Sequence, residues 1–108
     1  MAAKNVDVQH WPGSEPPTAA AVEARMQAEG IGFYRWSNGP GDVYEAHDHP
    51  YDKIIHVASG AITFGLPDLG NTIPLSAGDR LYLPAGTVHD AFVGPDGVVC
   101  FEAHKAAK

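Results

Sequence analysis

Cysteine is almost absent from this chain, with Cys100 standing alone. A lone thiol forms no intrachain disulfide and builds no thiolate cage, so a disulfide-stapled secreted scaffold and a cysteine-rich metal module are both excluded. Basic residues are scarce: 7 Lys and Arg stand against 13 Asp and Glu, for a formal net charge of −6, and they form no cluster. Nucleic acids and anionic membranes both require a concentrated positive patch, so neither is an expected partner. Long apolar runs are missing as well. No stretch approaches the ~18 residues of a membrane span, and residues 1–10 carry neither a basic n-region nor an apolar h-region. The expectation is a soluble, unexported protein of a reducing cytoplasm.

What remains is ordinary globular material. Hydrophobic residues make up 44% and charged residues 19%, which is enough apolar content to fold and argues against disorder. The 108 residues leave room for one domain. Residues 18–29 read as a short helix: Thr18 can cap it, Pro16 and Pro17 precede it, Gly30 ends it, and Ala19, Val22 and Met26 share a face. Its expected role is packing. From Ile31 onward, short β-branched and aromatic segments are interrupted every eight to twelve residues by Gly, Pro, Asn or Asp. Strands are predicted over 31–37, 43–47, 53–58, 61–66, 72–75, 80–83, 88–93 and 98–103, with a further one over 6–9. Turn signals at Ser59-Gly60 and Gly94-Pro95-Asp96-Gly97 suggest hairpins or loops. The fold class is all-β, an antiparallel jelly-roll barrel or sandwich, with residues 1–30 as a helical segment laid on a barrel of residues 31–104.

Histidines are the chemically distinctive feature. Side chains two apart on an extended segment share a face, so His47 and His49 can both point inward while Asp48 points away. Imidazole nitrogens bind Fe, Ni, Cu and Zn, and three histidines with open positions make a site that water or substrate can complete. A His-x-His pair alone is a weak signal in a chain with 6 histidines.

The spacing around it is more specific. Gly41, His47, His49 and Gly60 fall at the intervals of the first motif of the cupin superfamily, with Lys53 as the one change. Gly78, Pro84, Gly86 and His89 fall at the intervals of the second, with Val93 as the one change. The chain therefore resembles a small single-domain cupin over most of its length. The resemblance implies a jelly-roll β-barrel in which His47, His49 and His89 converge on the cavity and bind a divalent transition metal, whether Fe, Mn, Ni, Cu or Zn. It also implies a small-molecule ligand, a homodimer, and oxygen-dependent cleavage or isomerisation of a small anionic substrate in a dioxygenase-like site. The alternative is a non-catalytic cupin that binds or senses a small molecule without metal.

Lys53 stands where the family normally carries a glutamate ligand. An ammonium ~5 Å from a divalent ion repels it by on the order of 6 to 7 kcal/mol at an effective dielectric of ~20, so a charged lysine there needs a partner. Asp52, Glu45 and Glu102 are candidates, and Glu45 shares the parity of His47. Behind the histidines, Glu45, Glu102 and Tyr44 are the expected supporting residues. Lys53 is either a catalytic base or anion-orienting group, or a structural ion-pair partner. His56 falls on the opposite strand face and reads as a packing residue. Tyr44, Tyr82, Phe64, Phe92 and Phe101 are read as core residues or pocket lining, and Cys100 as a small buried hydrophobe.

Overall fold

A computed structural model describes residues 5–106. Along the chain run β1 (Asp7–Gln9), α1 (Ala19–Gln27), β2 (Phe33–Asn38), β3 (Val43–His47), β4 (Tyr51–Leu66), β5 (Asn71–Ser76), β6 (Arg80–Leu83) and β7 (His89–Ala106). All pairings are antiparallel. The path is β1-β6-β4-β7-β2, with β5 added to the far half of β4 and β3 to the near half of β7.

The two long strands organise everything else. β4 and β7 pair from Tyr51↔Ala106 to Gly65↔Asp90, and each serves both halves of the jelly roll. Ile55 and Val57 from one half meet Ile62, Phe64 and Leu66 from the other in a single buried cluster, closed by Leu75, Leu81, Leu83 and Val93. Alternation sends Ile54 and Ala58 to the outer side. There they pack with Phe101 and Ala103 against Val22 and Met26 of α1, whose N-terminus is capped by the Thr18 hydroxyl accepting from Ala21 N at 3.1 Å. Ala19, expected on the same helix face, is exposed. Among the described residues no helix is long and apolar enough to cross a membrane.

Two expected reversals are not reversals. Ser59-Gly60 bends β4 without ending it, and Gly94–Gly97 is an excursion of β7 lying between Gly60↔Val98 and Ile62↔Val93. Residues suited to positive φ serve a bulge as readily as a hairpin turn, so composition alone does not separate the two. At Gly60, φ is +76°, and a Cβ would sit 2.0 Å from the carbonyl oxygen of Gly97. Backbone blocks that space, so Gly60→Ala meets both strain and a clash at the bend that folds one half over the other. The expected cost is about 3 kcal/mol or more, read as a fall of on the order of 15 °C in the thermal midpoint. A midpoint within a few degrees of wild type contradicts this account of the bend.

Candidate metal centre

His47 ends β3, His89 begins β7, and the two are register partners; His49 lies in the short connection to β4. Hydrogen bonds hold this part of the chain against β6 and the loop leading to His89. Gly86 N donates to the His49 carbonyl at 2.8 Å, and Asp52 accepts from Ala85 N at 2.8 Å and from the Tyr82 hydroxyl at 2.7 Å. Asp52 therefore braces the loop. One ligand atom from each of His47, His49 and His89 lies within 4.8 Å of the others.

The hydrogen bonds settle which nitrogens are free. His47 Nδ1 donates to the Glu45 carbonyl at 2.7 Å and His89 Nδ1 donates to the Thr87 carbonyl at 2.9 Å, because a carbonyl only accepts. The lone pair is then on Nε2 in both rings. At His49, Lys53 Nζ lies 3.3 Å from Nε2, and an ammonium only donates. His49 Nδ1 therefore carries the proton and donates to the Tyr51 hydroxyl at 3.2 Å. His89 Nε2 is buried and has no hydrogen-bond partner.

Beside the histidines opens a cavity of about 470 Å³, whose wall includes Tyr34, Trp36, Tyr44, Ile55, Ile62 and Phe64. Lys53 and Glu102 also face it. Glu102 accepts from Tyr34 Oη at 2.7 Å, Trp36 Nε1 at 2.9 Å and His104 Nε2 at 2.5 Å, and its nearest approach to Lys53 Nζ is 3.7 Å. Tyr51 stacks on His49, with ring centroids 4.9 Å apart, and meets the tilted His104 ring at a centroid distance of 4.0 Å.

Several expectations need correcting. Glu45 is exposed and is not part of the cavity wall; a register shift between Tyr44 and His47 breaks the parity on which its inward placement rested. It supports His47 through its carbonyl only. Tyr44 lines the cavity with its hydroxyl bonded to Asn38, not to a histidine. Of the remaining aromatics, Phe64 lines the cavity, Tyr82 and Phe101 belong to the helix-side cluster, and Phe92 is exposed. His56 is buried on the opposite face and bonds Glu29, which also accepts from Arg80, so it secures the end of the helical segment. Tyr34, Trp36 and His104 escaped sequence reasoning altogether.

The residues present fit a divalent transition metal. Buried polar atoms nearly always have partners, and an unpartnered imidazole lone pair beside two others supplies the donors such an ion takes. Among the described residues, Lys53 is the group beside the histidines that opposes it.

The cupin domain family model matches residues 34–101. The chain belongs to the cupin family. No curated protein matches this cupin. Among solved structures, KdgF from a Halomonas species is 30% identical, with a TM-score of 0.57 over 67% of each chain. A conserved protein with a double-stranded beta-helix domain from Klebsiella pneumoniae is 26% identical, with a TM-score of 0.61 over 70% of this chain and 67% of that one. The DMSP lyase DddQ from Ruegeria pomeroyi, 20% identical with a TM-score of 0.63, shares the fold; the match covers 68% of this cupin and 37% of DddQ.

Protonation and the site are linked. Burial, then the Lys53 charge and the neighbouring rings, pushes His49 down to about 4. Burial also lowers His89, against the bond to Thr87, and His56, against the pull of Glu29. Each of these rings takes up a proton more readily in the unfolded chain, so unfolding binds protons and stability rises with pH. Metal-free protein is expected to lose stability as pH falls from about 6.5 toward 4, apart from any contribution of the carboxylates. Urea midpoints across this range test it, and a His49→Gln variant should show a shallower slope. An identical slope in that variant excludes His49 as a contributor.

Proposed function

We propose that this cupin is a small metalloenzyme. His47, His49 and His89 hold one divalent transition metal, and a small anionic molecule reacts beside it by oxygen-dependent cleavage or isomerisation. The observation that carries this is the buried, unpartnered Nε2 of His89, within reach of two further imidazoles at the edge of a cavity. When bound, the ion would supply Lewis acidity undiminished by any protein carboxylate. The chain's own groups do the rest. The Glu45 and Thr87 carbonyls orient two rings, and Tyr51 orients the third. Lys53 presents a cation to an incoming anion, as an orienting group or a base.

A second reading, a barrel that binds or senses a small molecule without metal, is favoured by one observation: Lys53 already bonds the lone pair of His49. Elemental analysis of untagged protein, as purified and after exposure to Fe, Mn, Ni, Cu and Zn salts, separates the two. The metalloenzyme requires a stoichiometry near one ion per chain, and persistent absence of metal leaves the binding barrel. The proposal also places the protein in the cytoplasm as a homodimer, since a core this small gains from pairing. Light scattering tests that against the 11.4 kDa chain mass.

A further inference from the structure

We infer that Lys53 couples metal binding to the binding of a small carboxylate with an apolar, planar body, so that each tightens the other. This rests on the three histidines being the metal site. Lys53 occupies the position at which a cupin normally offers a carboxylate, and it engages one of the three lone pairs an ion needs. An arriving ion must break that bond and tolerate a nearby ammonium. Glu102 pairs with Lys53 but leaves its ammonium on His49 Nε2. It already accepts from Tyr34, Trp36 and His104, and it stands 3.7 Å from Nζ, beyond hydrogen-bonding distance.

A lysine ammonium has three donors, and among the described residues the His49 contact is its one hydrogen bond. A carboxylate entering the cavity resolves both difficulties. Its oxygens draw the ammonium off His49 Nε2, and its charge screens the ion from the ammonium, supplying from the ligand the carboxylate beside the ion that position 53 does not provide. The body of the ligand then lies against Ile55, Ile62, Phe64 and Ala91 with the Trp36 ring beside it, which favours a flat apolar group over a second charge. Linkage is reciprocal: whatever factor the carboxylate adds to metal affinity, the metal adds to carboxylate affinity.

Calorimetric titration of the untagged full chain with Ni²⁺ tests this, without ligand, with benzoate, and with its neutral isostere benzamide. Benzoate is expected to tighten Ni²⁺ by on the order of tenfold and benzamide to leave it unchanged. Lys53→Met is expected to bind Ni²⁺ more tightly than wild type without ligand and to lose the benzoate effect. Equal Ni²⁺ affinity with benzoate and with benzamide overturns the coupling, and so does an undiminished benzoate effect in Lys53→Met. The wild-type comparison needs no variant, so it decides the matter even if Lys53→Met folds poorly. Ni²⁺ that fails to bind in every condition overturns the metalloenzyme reading along with the coupling, whereas Ni²⁺ that binds indifferently to benzoate overturns the coupling alone.

Discussion

His89→Ala is expected to lower affinity for a divalent transition metal by on the order of a hundredfold or more. Apparent zinc-binding free energies of about 10 to 16 kcal/mol, shared over four ligands, come to roughly 3 kcal/mol for each, which is about two powers of ten. The loss is concentrated at His89 because its ring is the most constrained of the three. It is 3% exposed, its Nδ1 proton is held by Thr87, and its Nε2 has no other partner to fall back on. Removing it also leaves the Thr87 carbonyl without a donor, at a cost of about 1 to 3 kcal/mol in stability. Urea unfolding must therefore accompany the Ni²⁺ or Zn²⁺ titration. His47→Ala is a cleaner companion, since that ring is only half-buried and its loss should weaken metal binding with less effect on folding. His56→Ala is the contrasting control: it lies on the helix side, so it should reduce stability and leave metal affinity unchanged. A His89→Ala protein that binds metal within threefold of wild type would remove this residue from the centre.

Much of this site was legible because it depends on local rules. Period-two alternation along β4 correctly sends Lys53, Ile55 and Val57 inward and His56 outward, since that run has no bulge before Val57. The same rule fails for Glu45, where the strand slips between Tyr44 and His47, and nothing local in Glu45-Ala46 announces the slip. Ser59-Gly60 and Gly94–Gly97 were recognisable as places where the chain deviates. Whether they reverse or bend it is decided by the partner strand, because Gly60 packs against the backbone of Gly97, thirty-seven positions away in sequence. The residues behind the centre show this most clearly. Tyr34 and Trp36 alternate on β2, as Glu102 and His104 do on β7, so each pair is marked as sharing a face. Their meeting depends on the register Tyr34↔Glu102, a long-range pairing that no spacing encodes.

That pairing makes Glu102 the residue whose loss should cost the fold most. Glu102→Ala is expected to destabilise the protein by about 3 to 5 kcal/mol, because it strips the partner from a cation that is 11% exposed and from Trp36 Nε1 and Tyr34 Oη at the same time. The reverse change is unequal. Lys53→Met leaves Glu102 with all three of its closer donors, so it should cost far less, and in the double variant it should recover part of the Glu102→Ala loss by removing the stranded charge. The pH dependence has a definite sign. Burial alone would raise the Glu102 pKa, but Lys53, His104 and Tyr34 together hold it below the ordinary carboxylate value. Its stabilisation is therefore fully present above the unfolded-state pKa near 4.5 and is lost as pH falls through the lower folded-state value. The gap in urea midpoint between wild type and Glu102→Gln should be wide at neutral pH and narrow below about 4. A gap that stays constant across that range would mean that Glu102 acts through its shape alone, and Lys53 would then require another source of neutralisation.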